Sequence, residues 1–313
     1  MRPALDRRAF LTATAAGLIV PVRPALARLW PASGFTHGVA STPTGAGAVK
    51  LWTRFASVTG AATVLKLEVA EDEAMTRIIA RAEAVAGPET WGTAQAEVTG
   101  LPDGAWLWYR FTAPDGRQST LGRTKTLPAG RIEQLKLAVF SCSNRPFGHF
   151  NAYAHAAARD DIDAVIHLGD YIYEYMGGVY PAVAMPGREI LPADEIIMID
   201  DYRQRYASYR ADPALQAIHA RFPMIAIWDD HEFANDTWKG GAENHQPAEG
   251  VWSLRRDAAI KAHREWLMSP ERPWQRLDFG NLLSVITLDT RMSGRDRQLD
   301  LAAAIKAGPD GIK

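Results

Sequence analysis

The sequence has 313 residues, 47% of them hydrophobic, and a formal net charge of −1. This near balance of charges argues against a basic nucleic-acid-binding patch, so nucleic acid is not an expected partner. The chain is longer than a domain with one small hydrophobic core usually is, and two domains are therefore expected.

The first 27 residues have the pattern of a twin-arginine export signal. Arg7 and Arg8 precede an apolar stretch at 11–20, and Ala25-Leu26-Ala27 fits an A-x-A cleavage site. A membrane anchor is the alternative, but the stretch is about half of the roughly 20 residues that a spanning helix needs. We expect 1–27 to be a signal peptide recognised by the twin-arginine export machinery, with a periplasmic or secreted mature protein that has no stable membrane span.

Residues 28–130 are expected to form a small antiparallel β-sandwich. Residues 49–55, 64–69 and 106–111 alternate apolar and polar side chains with a period of two, and turn residues separate them. A packing or lid domain is favoured over a ligand-binding module, because no charged or aromatic cluster falls in the turns.

Residues 131–313 are expected to form a second, α/β domain. Apolar strand runs alternate with helical segments, which predicts βαβ units around a buried, largely parallel sheet. A hairpin with a two-residue turn at Gly280-Asn281 would make this sheet mixed. The strands are predicted at 137–140, 164–168, 224–228, 274–279 and 282–288, and the helices at 149–159, 201–220 with a break at Pro213, and 251–268.

Each of the three parallel strand runs is followed by residues that can bind metal or transfer protons. Ser141-Cys142-Ser143-Asn144 follows the first, Gly169-Asp170-Tyr171-Ile172-Tyr173 the second, and Asp229-Asp230-His231-Glu232 the third. Ligands in open α/β sheets gather beyond the carboxyl ends of the strands. We therefore expect these side chains to meet at one edge of the sheet.

Cys142 is the single cysteine of the chain, so no internal disulfide can form. Taken alone, it fits a small buried residue best, with nucleophile and metal ligand as alternatives. Together with Asp170 and Tyr173 it would concentrate anionic donors that suit ferric iron. Taken alone, Tyr173 fits an aromatic core residue better, beside Tyr171 and Tyr175.

Asp170 has two carboxylate oxygens and could bridge two ions, with Asp230 binding the second. Two metal ions roughly 3.5–4 Å apart can bind the oxygens of a phosphate ester and activate water. His231 beside them could stabilise the transition state or protonate the leaving group, although a structural histidine at a strand end is an equal alternative.

These segments resemble the PhoD-type alkaline phosphatases, which are relatives of the calcineurin-like metallophosphoesterases. The resemblance extends from about residue 35 to 291. It rests on Phe140-Ser141-Cys142, on His167 through Tyr175, on Asp201 through Tyr206, on Trp228 through Asp236 and on Gly240 through His245.

The resemblance implies a metallophosphoesterase-like αββα catalytic domain behind a sandwich that serves as the accessory domain. It also implies Fe(3+) bound by Cys142, Asp170 and Tyr173, and Ca(2+) bound by Asp170, Asp230 and Asn235. His231 remains the candidate catalytic residue because of its expected position beside these ions. The implied substrates are phosphate mono- and diesters, hydrolysed by metal-activated hydroxide.

One feature of the family pattern is not found in this sequence. The family continues with further strands and a late Gly-Asp-x-His segment, whereas this sequence reaches Lys313 without that motif. We therefore expect the catalytic domain to be incomplete at its C-terminus. Asp289, at the end of a predicted strand, is interpreted as a structural carboxylate rather than a replacement ligand.

Three alternatives remain open beside an exported phosphatase. The same metal site could serve a secreted phospholipase D-like diesterase, since specificity would lie in loops such as 176–194. Cys142 could instead act as a nucleophile assisted by histidine. The chain could also be a catalytically incomplete fragment that binds metal or phosphate without turnover.

Overall fold

A computed structural model describes residues 31–299 and 305–306 of the chain. The predicted signal peptide lies outside these residues. Among the helices within the described ranges, none is both long and apolar enough to cross a membrane.

The N-terminal region consists of two antiparallel sheets that face each other. One sheet has the strand order β1-β2-β5 and the other β4-β3-β6-β7. In β6 every second residue is buried, as the alternating sequence predicts, and the buried side chains of both sheets share one hydrophobic cluster. The strands are β1 (Gly34–Gly45), β2 (Ala48–Ala56), β3 (Thr63–Ala70), β4 (Ile78–Ala86), β5 (Thr93–Val98), β6 (Trp106–Thr112) and β7 (Gly122–Lys125). The predicted antiparallel sandwich is confirmed.

The C-terminal region is built around a parallel three-stranded sheet with the order β10-β9-β8. Its elements are β8 (Leu137–Phe140), α1 (Asn151–Ala157), β9 (Ala164–His167), α2 (Ile199–Arg210), α3 (Pro213–Arg221), β10 (Met224–Ala226), α4 (Trp252–Leu267), β11 (Trp274–Phe279) and β12 (Leu283–Leu288). Short 3-10 helices lie at Arg145–Phe147 and Pro247–Glu249, and one in the N-terminal region lies at Pro88–Thr90. The predicted mixed α/β class is confirmed.

Two details of the predicted second region are wrong. The strands β11 and β12 pair only with each other among the described residues, so the parallel and antiparallel strands form two sheets and not one mixed sheet. Phe279 pairs with Leu283, which makes the hairpin loop three residues long instead of two. Gly280 has a φ of 56° in this loop, and the extra residue accommodates the left-handed turn.

The break between α2 and α3 follows from local chemistry. Pro213 occupies the first turn of α3, where its missing N–H costs no hydrogen bond. Asp212 caps the helix, since its Oδ1 accepts hydrogen bonds from Ala214 N at 2.9 Å and Leu215 N at 3.2 Å. The predicted break at Pro213 is therefore confirmed.

The sandwich packs directly against the helices of the second region. Trp52 of β2 donates from Nε1 to the backbone oxygen of Glu265 in α4 at 2.7 Å, and its ring lies 5.6 Å from that of Trp266. Ala40 and Trp52 belong to the same hydrophobic cluster as the helices around the parallel sheet. The sandwich contacts these helices mainly through α3, which packs against β1 and β7, and through α4, which packs against β5.

Candidate metal centre

The loops after β8, β9 and β10 meet at the carboxyl edge of the parallel sheet. Backbone hydrogen bonds join the first two loops, from Cys142 N to Gly169 O at 3.1 Å and from Ser143 N to Asp170 O at 2.7 Å. Gly169 has a φ of +106°, and a Cβ there would lie 2.4 Å from Asp229 N in the third loop. A glycine is thus required where the second and third loops touch.

The buried carboxylate of Glu232 also ties the second loop to the third. It accepts backbone hydrogen bonds from Asp170 N at 3.0 Å, Tyr171 N at 2.6 Å and Asp229 N at 2.8 Å. Burial raises the pKa of Glu232 to about 8 despite these donors. Glu232 belongs to the Asp-Asp-His-Glu segment, but its position in the sequence did not predict this role.

Cys142, Asp170 and Tyr173 converge on one carboxylate oxygen. The Sγ of Cys142 lies 3.4 Å from Asp170 Oδ2, and the Oη of Tyr173 donates to the same oxygen at 3.3 Å. Asp170 and Tyr173 are buried, whereas Cys142 is exposed. The expected meeting of thiol, carboxyl and phenol therefore occurs, and Tyr173 points toward Asp170.

Asp170 also belongs to a second group with Asp230 and His231. One ligand atom from each of the three residues lies within 4.8 Å of the others, which is compact enough to hold a metal ion. Asp170 thus connects the thiol and phenol on one side with the third loop on the other.

The electrostatics of these donors fit a cation. Oδ1 of Asp170 is buried without a hydrogen-bond partner among the described residues. Burial and the nearby Asp230 and Asp229 raise the pKa of Asp170, and burial and Asp170 raise the pKa of Tyr173. Partial desolvation of the thiol and the nearby charge of Asp170 also raise the pKa of Cys142. Each of these groups is harder to ionise when its neighbours are charged. A multivalent cation bound between them would stabilise all of the anionic forms together.

Asp230 makes further contacts with neighbouring residues. Its Oδ2 accepts a hydrogen bond from Asp236 N at 2.6 Å, and its Oδ1 lies 3.4 Å from Nη2 of Arg291. Arg291 also pairs with Asp229 at 2.5 Å. The arginine, which the sequence did not single out, offsets part of the negative charge at this edge.

His231 is held in place from two sides. Its Nδ1 lies 2.8 Å from Oε2 of Glu174, and its ring stacks on Tyr173 with centroids 4.2 Å apart. Burial lowers the pKa of His231, but the hydrogen bond and charge of Glu174 outweigh burial and raise it to about 9. Because Nδ1 is used by Glu174, Nε2 is the nitrogen left to face a substrate.

Asn235 and Asp289 also have identifiable partners. The side-chain amide nitrogen of Asn235 donates to Glu243 Oε2 at 3.0 Å, which leaves its oxygen as the potential ligand atom. Asp289 accepts hydrogen bonds from Trp228 Nε1, Ser293 Oγ and two backbone amides. This arrangement is that of a structural carboxylate.

Two family models match the chain. The model described as PhoD-like phosphatase matches residues 137–310, and the model of the N-terminal domain of PhoD-like phosphatase matches residues 22–128. Alkaline phosphatase D of Bacillus subtilis (strain 168) is 37% identical over 282 residues, which cover 84% of this chain and 48% of that protein.

Solved structures give the same relationship. A structure titled "Structure of PhoD" aligns with a TM-score of 0.79 at 34% identity, covering 87% of this chain and 54% of the other. A purple acid phosphatase from yellow lupin (Lupinus luteus) aligns with a TM-score of 0.51 at 13% identity, covering 79% and 43%, and shares the fold alone. The chain spans about half the length of the PhoD relatives that it matches. The two family models together span most of the sequence, and the chain belongs to the PhoD-like phosphatase family.

Proposed function

We propose that this protein is an exported, metal-dependent phosphatase or phosphodiesterase that hydrolyses phosphate esters. The observation that carries the proposal is the convergence of Cys142 and Tyr173 on Asp170, beside Asp230 and His231. Family membership and similarity to an alkaline phosphatase D support the same reaction class. The Arg7-Arg8 pattern supports export to the periplasm or the medium.

Cys142, Asp170 and Tyr173 would hold a ferric ion, since thiolate, carboxylate and phenolate suit a strong Lewis acid. Asp170 and Asp230, with the side-chain oxygen of Asn235, would hold calcium, which prefers oxygen ligands. When bound, these cations would supply Lewis-acid activation of water and of the phosphoryl oxygens.

The residues of the chain have separate tasks in this scheme. Asp170 joins the two groups of donors, and Arg291 keeps Asp229 and Asp230 in place. His231 lies beside the donors and donates a proton to the leaving oxygen. Tyr173 stacks on the imidazole and restricts its rotation.

The geometry gives less support to a cysteine nucleophile. A nucleophilic thiol needs a lowered pKa and a base in contact with it. The pKa of Cys142 is raised by partial desolvation and by the charge of Asp170, and no histidine hydrogen-bonds to its sulfur within the described residues. We therefore assign Cys142 as a ligand.

The test is metal analysis together with hydrolysis assays on the protein expressed from its complete gene. We expect iron and calcium to copurify, and chelation to abolish hydrolysis of phosphomonoesters or diesters until metal is restored. Activity that survives metal removal but is lost on thiol alkylation would contradict the proposal. Phosphatidylcholine in the substrate panel separates a phospholipase D-like diesterase from a phosphatase.

A further inference from the structure

Glu174 is a buried acid that connects three segments around the candidate metal centre. Its side chain is fully buried. Oε1 accepts hydrogen bonds from Asn235 N at 2.6 Å and from Asn244 Nδ2 at 2.9 Å, while Oε2 accepts from His231 Nδ1 at 2.8 Å. One carboxylate thus receives three donors from the loop after β10 and from the segment that follows it.

We propose that Glu174 is a positioning residue that fixes a proton on Nδ1 of His231 and aims Nε2 at the leaving group. The inference rests on the proposed function of His231 and adds a residue to it. The proposal follows from the donor pattern, because a carboxylate only accepts hydrogen bonds, so Nδ1 must donate.

The two oxygens of Glu174 are not equivalent, and this difference makes the proposal testable. Asn235 N and Asn244 Nδ2 are both donors, so a glutamine at position 174 would place its carbonyl oxygen toward them. Its NH₂ group would then face His231 Nδ1. Two donors cannot pair, so the glutamine would select the form of His231 in which Nδ1 carries no proton and only Nε2 is protonated.

Glu174 also contributes charge to the pair. When a histidine protonates a leaving oxygen it starts with protons on both nitrogens, and a neighbouring carboxylate stabilises that cation. A neutral glutamine of nearly the same size removes the charge while preserving the contacts with Asn235 and Asn244. The variant E174Q therefore separates positioning from packing.

The first measurement uses ¹⁵N-histidine NMR on the metal-free protein expressed from its complete gene, with the His231 signals assigned from H231A. We expect Nδ1 to carry a proton in the natural protein and to lose it in E174Q. An unprotonated Nδ1 in the natural protein, or a retained proton in E174Q, would overturn the proposal. If E174Q fails to fold, the protonation state of Nδ1 in the natural protein alone tests the proposal.

The second measurement is a double-mutant cycle on the metal-loaded enzyme. Replacing a residue that orients a functional histidine commonly changes activity about 10- to 100-fold. We expect a loss in this range for E174Q with phenyl phosphate, which has a poor leaving group. The loss should be smaller with p-nitrophenyl phosphate, which has a good leaving group. In the H231A background, E174Q should cost less than about threefold, because coupled residues are non-additive. Equal losses in both backgrounds would show that Glu174 only maintains the fold.

Glu265 provides the matched control. It is also a buried carboxylate, paired with Arg203 at 2.7 Å, but it lies in α4 against the sandwich. E265Q should lower stability without the selective loss for the poor leaving group. If the natural enzyme shows no metal-dependent hydrolysis, the proposed function fails, while the NMR measurement still decides the role of Glu174.

Discussion

Cys142 and Asp170 are 28 residues apart in sequence, yet Sγ of the first lies 3.4 Å from Oδ2 of the second. Both residues have left-handed backbones, with φ values of 57° and 55°. This conformation is uncommon outside glycine and is found preferentially at functional sites. The two strained positions turn the chain after β8 and β9 so that thiol and carboxyl face each other.

Replacing Asp170 with asparagine should abolish hydrolysis and preserve the fold. We expect kcat/KM to fall about 1,000-fold or more, because bound metal contributes several kcal/mol of transition-state stabilisation. The metal-free variant should be at least as stable as the natural protein, since burial and nearby acids disfavour the charge on Asp170. Urea unfolding and phosphatase assays measure both effects, with D278N in the exposed hairpin as the control. Near-normal turnover would refute the assignment of Asp170.

Replacing Tyr173 with phenylalanine should remove the visible absorption expected of a phenolate bound to ferric iron. The ring would keep its stacking on His231, so the circular dichroism spectrum should not change. Tyr171 is the control, because its Oη pairs with His219 at 2.9 Å within the core. The absorption should persist in Y171F. An unchanged absorption spectrum in Y173F would mean that Tyr173 is a packing residue and not an iron ligand.

A Cβ at Gly169 should disrupt the contact between the second and third loops. The glycine has a φ of +106° and leaves no room beside Asp229 N. We expect G169A to lower the free energy of unfolding by about 1–3 kcal/mol, the range for strained backbone, and to weaken metal binding. G130A is the comparison, because a Cβ at Gly130 would meet nothing within 4 Å. Equal stability of the two variants would be inconsistent with a tight contact.

The fold should lose stability in acid through its buried histidines. Burial lowers the pKa of His263 from 6.5 to about 3, and it lowers the pKa of His219 well below 6.5. The unfolded chain therefore binds protons that the folded chain excludes. Stability contributed by these groups is fully present above about pH 6.5 and falls as the pH drops below that value, by at most about 1.4 kcal/mol per pH unit for each histidine.

The variant H263Q isolates one of these groups. Its Gln side chain does not titrate, so the slope of unfolding free energy against pH should be smaller than in the natural protein by up to about 1.4 kcal/mol per pH unit below pH 6. Urea titrations of the metal-free proteins measure both slopes. Identical slopes would show that His263 is not a source of the acid sensitivity.

The sequence was sufficient for those features of the fold that depend on local patterns. Alternating side chains predicted the strands around Trp52 and Trp108, and Pro213 predicted the break between α2 and α3. The separation of β11 and β12 from the parallel sheet depends on which strands pair, and that choice is made by tertiary packing, which periodicity does not report.

The residues of the candidate site also fall into two groups, those that the sequence predicted and those that it did not. Cys142, Asp170 and Asp230 follow strand runs, so the rule about strand ends predicts that they meet. Glu174 and Arg291 act through partners 57 and 61 residues away, Glu174 on His231 and Arg291 on Asp230. Nothing in the local sequence distinguishes these two residues from other charged side chains in loops.

X-ray absorption at the iron edge tests the central claim most directly, with the protein expressed from its complete gene in the presence of iron. The account predicts stoichiometric iron with one sulfur ligand, and loss of that sulfur signal in C142S while oxygen ligands remain. Iron surrounded only by oxygen and nitrogen in the natural protein, or a sulfur signal that persists in C142S, would contradict it.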